Sequence, residues 1–338
     1  LKPLLYAQAM DAGLITNETV LLDVPVQYGT YQPENYDGDF RGKISAGEAL
    51  SLSLNVPAVR LLDKLGVPNF LELLQKARFE QIKADEEKLG LSVILGGCGA
   101  SLEELTRLYA AFAHQGTLRS LRYRAESPEG EELTIISPAA AYLISQPLTE
   151  LTRPDLPVQW HNAANLPKIA WKTGTSYGRR DAWSIGYHPR FTVGVWVGNF
   201  DGTGVPDLYG AGTAAPLLFN IFNRLGRPQK QAWFGYEKEQ LIFREVCSET
   251  GHLPEQWCTN RVLDMAIPGI SPYQICDHLR SIPILPDSSM AFCTNCLPDS
   301  GYIYERYPNY PPELLQFYQQ RQIAYAQPPM HNLDCASV

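Results

Sequence analysis

Three strand-like runs in close succession constrain this chain most. Residues 168–175, Asp181–Tyr187 and Phe191–Gly198 are rich in β-branched and aromatic residues, and His188-Pro189-Arg190 is a turn-sized link between the last two. This is the pattern of an antiparallel meander. An apolar helical stretch, Ala214 to Arg224, follows and has the length to cover one face of such a sheet. Before the meander the pattern is helical. It runs through residues 1–14, 45–54, 56–65 and 69–78, and a capping box at Ser101 and Glu104 opens a helix that ends at Gly116. Asn55 is placed to cap the helix that contains Pro57, and Ser137-Pro138 starts another. Helices first, then a sheet, then a helix predict an α+β or mixed α/β fold, an antiparallel sheet flanked by helices with a helical subdomain, rather than a doubly wound one. Residues 15–47, full of turn formers and aromatics, are expected to be one long irregular loop, and so long a loop is usually functional.

A chain of 338 residues, 45% apolar and 19% charged, can bury a substantial core. Its net charge of −8 argues against a nucleic-acid partner, which calls for a basic face. No apolar run is long enough to cross a bilayer. The opening Leu1-Lys2-Pro3-Leu4-Leu5 is no signal peptide and starts in the middle of a helical pattern. The chain is therefore expected to be a fragment, with any anchor or export signal upstream.

Chemistry concentrates at Lys172-Thr173-Gly174-Thr175-Ser176. Ile169-Ala170-Trp171 leads in as a buried strand, so Lys172 would fix a positive charge at the strand end, and Gly174 would let a ligand lie against the backbone. Such an edge suits an extended, carboxylate-bearing substrate that pairs as an added strand. Ser53-Leu54-Asn55, at a helix-to-helix junction, can point a hydroxyl and an amide into a cleft. Lys2, near the start of a buried helix, is a candidate base, because a dry pocket disfavours its charged form.

In Lys2-Pro3, Ser53-Leu54-Asn55 and Lys172-Thr173-Gly174-Thr175, in that order and at wide separations, the chain resembles the penicillin-binding transpeptidases, which carry S-x-x-K, a Ser-x-Asn triplet and K-T-G. It is most similar to the penicillin-binding protein 1C type, through Pro33-Glu34-Asn35-Tyr36, Ser53 to Val59, Leu95-Gly96-Gly97, Trp171 to Ser176, Asp181-Ala182-Trp183 and Arg244 to Ser248. The resemblance implies the penicillin-recognising serine transpeptidase fold, peptidoglycan stem peptides ending in D-Ala-D-Ala as substrate, β-lactams as ligands, and no cofactor. It also implies a position at the periplasmic face of the inner membrane, with membrane contact only through an upstream anchor. Lys2 matches the lysine that takes the nucleophile's proton, and Ser53 the hydroxyl that relays it towards the leaving amine. Asn55 matches the amide that holds the substrate backbone. Lys172 matches the charge that tunes the site, while Thr173, Gly174, Thr175 and Ser176 match the strand that receives the substrate. The family's nucleophilic serine stands three positions before the lysine, and this chain holds no Ser-x-x-Lys. A non-catalytic stem-peptide-binding scaffold, or a β-lactamase or β-lactam sensor of the same superfamily, are the alternatives to an active synthase.

From about residue 240 the character changes again. Cys247, Cys258, Cys276, Cys293, Cys296 and Cys335, six of the seven cysteines, lie here among dense prolines and tyrosines. The expected division is a transpeptidase domain over residues 1–235 and a loop-rich, Cys-rich extension over 236–338. The extracytoplasmic location implied by the family favours disulfides among these six, such as Cys247 with Cys258, and no metal. Zinc is the second reading, because Cys293-x-x-Cys296 and Cys276-Asp277-His278 have ligand-like spacing. Cys98 is expected to be a small buried residue.

Overall fold

A computed structural model describes residues 1–128, 130–151, 153, 168–225 and 233–335. The last three residues of the extension lie outside them.

The order of elements is α1 (Lys2–Asp11), β1 (Val20–Asp23), β2 (Gly42–Ser45), α2 (Ala46–Ser51), α3 (Asn55–Leu65), α4 (Val67–Lys76), α5 (Glu80–Asp85), α6 (Leu102–Ala113), β3 (Thr117–Arg119), β4 (Glu132–Thr134), α7 (Pro138–Thr149), β5 (Ala170–Thr175), β6 (Asp181–His188), β7 (Phe191–Gly198), α8 (Ala215–Arg224), β8 (Ile242–Cys247), β9 (Arg261–Ala266), β10 (Leu279–Ile284), β11 (Ile303–Pro308) and α9 (Pro312–Gln320). No described helix is long and apolar enough to cross a membrane.

The meander forms as predicted, β5-β6-β7, fully antiparallel, with Trp171 opposite Gly186 and Trp183 opposite Trp196. Alternation along β5 sorts its side chains onto two faces. Ala170 joins a large core built with α1, α3, α4, α6 and α7. Trp171 turns the other way, into a second core with Leu218, Phe219 and Phe222 of α8. Its indole meets the Phe219 ring edge-on at 4.9 Å, an arrangement that adds about 1 kcal/mol to the burial itself. The sheet is thus the middle of three layers, and the same alternation sends Lys172 to the face of Ala170. α1 lies on that side against α3 and α7. Leu4, Leu5, Tyr6, Ala7, Ala9 and Met10 are all buried, so this helix is covered nearly all round and is no amphipathic surface helix.

Three expectations change. Residues 15–47 are not wholly irregular: β1 and β2 pair antiparallel, Val20 opposite Ser45. Asn55 does not cap α3; Leu54 holds the cap position and Asn55 begins the helix, its side chain bonded elsewhere. Cys98 is only half-buried.

The extension is more regular than its sequence suggests. β8 pairs with β9, and β10 with β11. α9 buries Leu314 and Phe317 against Val24. These pieces hold the rest of the molecule at several points. Arg60 grips Glu313 with two hydrogen bonds of 3.0 and 2.8 Å, and Lys43 pairs with Glu249. The Val20 amide donates to the Thr250 carbonyl at 3.1 Å, and Leu241 and Ile267 enter the main core.

Candidate active site

The site forms where the start of α1, the α2–α3 junction and the outer strand of the meander converge. Lys2 is in the first turn of α1. Its Nζ donates to the Ser53 carbonyl at 2.7 Å and to Asn55 Oδ1 at 2.7 Å, and lies 3.4 Å from Ser53 Oγ. Burial lowers its pKa well below the usual lysine value, and the nearby charge of Lys172 lowers it further. A neutral amine has two N–H bonds and one lone pair. In that uncharged form the two short acceptors would take the two N–H bonds and leave the lone pair for a hydroxyl, whereas the ammonium form also donates to Ser53 Oγ.

The carbonyl of Ser53 reaches Lys2 because Ser53 adopts a left-handed conformation, φ 59°. A non-glycine residue held there carries about 1–3 kcal/mol of strain, which is common at functional sites. Asn55 is fixed at every polar atom. Its Oδ1 receives Lys2, its Nδ2 donates to the Glu34 carbonyl at 2.8 Å, and its backbone N–H donates to Asn35 Oδ1 at 2.8 Å. Asn35, itself buried, donates through Nδ2 to the buried Asp23 carboxylate at 2.8 and 3.0 Å and to the Asp39 carbonyl at 2.8 Å. Asp23 also receives the Arg41 N–H at 2.9 Å. A chain of polar contacts therefore runs from β1 through the β1–β2 loop to Lys2. Asn35 and Asp23 are residues that reading the motifs missed as part of the site. The loop that carries Asn35 was the only signal, through its length and its Pro-Glu-Asn-Tyr run.

Lys172 is 6% exposed and donates to the Thr173 carbonyl at 3.1 Å. Burial pushes its pKa down to about 8. It is close enough to Lys2 for its charge to be felt there. β5 is an edge strand, since no described strand pairs with its outer side. Thr173 and Thr175 share the α8 face by alternation. Thr175 Oγ1 accepts the Gly210 N–H at 3.1 Å, and a Cβ on Gly210 would stand 2.7 Å from the carbonyls of Gly174 and Trp183. Only a glycine lets the segment before α8 lie that close to β5. A side chain at Gly174 would meet Trp183 no closer than 3.6 Å, so packing within this chain does not demand glycine there. Ser176 closes the β5–β6 turn: its N–H donates to the Asp181 carbonyl at 3.0 Å, and its Oγ accepts the Asp181 N–H at 2.9 Å. Lys2, Ser53, Asn55 and Lys172 thus come together, beside an open strand edge.

The six cysteines of the extension lie away from this cleft, and the expected disulfides are not formed. The six are gathered as Cys247, Cys258 and Cys276 around His278, and as Cys293, Cys296 and Cys335 around His331. Cys293 Sγ lies 3.7 Å from Cys296 Sγ and 3.6 Å from Cys335 Sγ, where a disulfide needs about 2.05 Å.

Comparison with known proteins agrees with this geometry. The family model for the penicillin-binding protein transpeptidase domain matches residues 1–223. Penicillin-binding protein 1C of Escherichia coli is 41% identical over 228 residues, covering 67% of this chain and 29% of that protein. Penicillin-binding protein 1A of Clostridium acetobutylicum is 29% identical over 222 residues, covering 59% of this chain and 27% of its own length. The chain thus spans less than a third of either relative. The crystal structure of penicillin-binding protein 1A from Haemophilus influenzae superposes with a TM-score of 0.64 at 20% identity, over 81% of this chain and 48% of that one. At that identity it establishes the fold, α+β with helices about an antiparallel sheet. A match over the whole site-bearing part, with the ordered residues of the cleft inside it, places this chain in the penicillin-binding protein transpeptidase family.

Proposed function

We propose that this chain is the transpeptidase part, residues 1–235, and extension, residues 236–338, of a serine D,D-transpeptidase that cross-links peptidoglycan outside the cytoplasmic membrane. The observation that carries the reading is the Lys2 amine, held by Ser53 and Asn55 beside a second buried lysine at a free strand edge. In this mechanism the stem peptide pairs along β5, and its terminal carboxylate meets Thr173, Thr175 and the charge of Lys172. The neutral Lys2 takes the proton of the serine expected three positions ahead of it, and that oxygen attacks the carbonyl of the D-Ala-D-Ala bond. The Ser53 hydroxyl, 3.4 Å from Lys2 Nζ, passes a proton to the departing D-alanine amine. An amine from a second stem peptide then displaces the serine from the acyl-enzyme. The N–H of Thr175 donates to the oxyanion, where loss of one such donor typically slows a reaction by roughly 10²–10³. β-Lactams acylate the same serine.

The test is labelling of the intact protein with a fluorescent penicillin, beside Lys2→Ala. Covalent label on the parent and almost none on the variant is the expected result. An intact protein that takes no label would leave only a non-catalytic cleft.

A further inference from the structure

We propose that the extension carries two structural zinc sites, one formed by Cys247, Cys258, Cys276 and His278, the other by Cys293, Cys296, His331 and Cys335. In each group one ligand atom from every residue lies within 4.8 Å of all the others. The vertices of a tetrahedron around zinc, with Zn–S bonds of about 2.3 Å, stand ~3.8 Å apart. His278 Nδ1 is 3.6 Å from Cys247 Sγ, 3.8 Å from Cys258 Sγ and 2.9 Å from Cys276 Sγ. In the second group the two separations from Cys293 Sγ are 3.7 and 3.6 Å, and Cys296 Sγ is 3.6 Å from His331 Nε2. Apart from the one short contact, these are tetrahedron edges.

Disulfides do not account for the arrangement. Each group holds three thiols, so any pairing within a group leaves one over, and Cys293 is equidistant from two partners rather than close to one. Hydrophobic packing does not account for it either. The buried cluster around the first group consists of Cys247, Cys258 and Cys276 with no other apolar side chain. Three thiolates and an imidazole with no oxygen donor select a soft or borderline ion, not magnesium or calcium, and four protein ligands close the shell as structural zinc requires. Hydrogen-bond donors reach one sulfur in each group. Thr250 Oγ1 donates to Cys276 Sγ at 3.2 Å, and the Cys293 N–H donates to Cys296 Sγ at 3.3 Å. A cavity of about 160 Å³ lined by Cys247, Asn260, His278 and Tyr310 gives the first site a route to solvent.

The topology shows what the metals would do. A two-stranded ribbon is marginal in water on its own. The first site ties the end of β8, the β8–β9 connection and the approach to β10 to one point. The second ties the β10–β11 connection to residues 331–335. Zinc closes long loops where apolar burial is small, and its binding energy becomes folding energy.

The test is metal analysis of the full chain, purified without chelator or added metal and without reductant, together with its intact mass. The expected result is two equivalents of zinc per chain, with all six tail cysteines alkylated only after denaturation with a chelator. Cys258→Ala and Cys296→Ala should each lower the count by one, and Cys98→Ala should keep both. Cobalt exchanged into the chain should give the strong visible absorption of tetrahedral thiolate sites, a readout that does not depend on transpeptidase activity or on the fate of any variant. A metal-free chain whose mass is lower by two hydrogens for every bridge would overturn the proposal.

Discussion

Replacing Lys172 by methionine should make the folded protein more stable at neutral pH and the site less able to work. Burial lowers the lysine from 10.5 to about 8, and at about 1.36 kcal/mol per pKa unit this means that holding the ammonium in the fold costs about 3 kcal/mol. Methionine has nearly the same shape and no charge. The loss of the hydrogen bond to the Thr173 carbonyl takes back about 1 kcal/mol, leaving a net gain of about 2 kcal/mol at pH 7. The sign with pH follows from proton counting. Between about 8 and 10.5 the unfolded chain holds the Lys172 proton and the folded chain does not, so wild-type stability rises through that window. The variant lacks this rise, and its advantage should fall to about zero by pH 10. Urea unfolding of both proteins at pH 7 and pH 10 measures the difference, and other titrations cancel in it. Removal of the charge also lets the pKa of Lys2 rise towards its ordinary value, so less of it is neutral and penicillin labelling should slow. An equal stability difference at the two pH values, or a variant weaker than wild type at pH 7, would refute the claim that Lys172 is a strained, desolvated cation.

Two further substitutions separate the roles of neighbouring residues. Ser53→Gly relieves the left-handed backbone and removes the hydroxyl: stability should hold or rise by about 1 kcal/mol, and acylation should fall by roughly 10² or more if the hydroxyl relays a proton, as thermal unfolding and labelling rates would show. Asn35→Ala leaves the buried Asp23 carboxylate without its side-chain donor and frees the Asn55 amide, so urea unfolding should report a loss of about 2–3 kcal/mol with labelling slowed as well.

Different parts of the molecule were legible in the sequence for different physical reasons. The meander was, because alternation and a three-residue turn are local signals, and so was the capping box at Ser101, which the structure contains in full. β1 and β2 were not: each has four residues, the turn-rich loop between them hides the pairing, and β1 donates a hydrogen bond to the Thr250 carbonyl, far away in the chain. Asn55 reads as a cap by composition, but Lys2 and Glu34 claim its amide, and no local rule contains that competition. α9 was masked by the prolines and tyrosines around it. Lys2, Ser53, Asn55 and Lys172, which the structure brings together, stand out in the sequence because their types and order are restrictive, whereas Asn35 and Asp23 join them only through the contacts that folding creates. The tail cysteines were assigned from the redox character of a compartment. Which thiols meet which histidine depends on how the two ribbons fold back, and spacing alone does not fix that.

If β5 receives a peptide as proposed, its edge is equally open to the wrong strand, including β5 of another molecule. Unpaired edges are where β proteins aggregate, and a charge turned inward along the edge is one of the devices that prevents it. Lys172 is such a charge, and Gly174 beside it weakens the tendency of the segment to hold an extended form unaided. The residues of β5 that the proposed function uses also make it a poor partner for its own kind. A substitution that rendered this strand more regular, more apolar and more stable would invite self-association before it improved anything else.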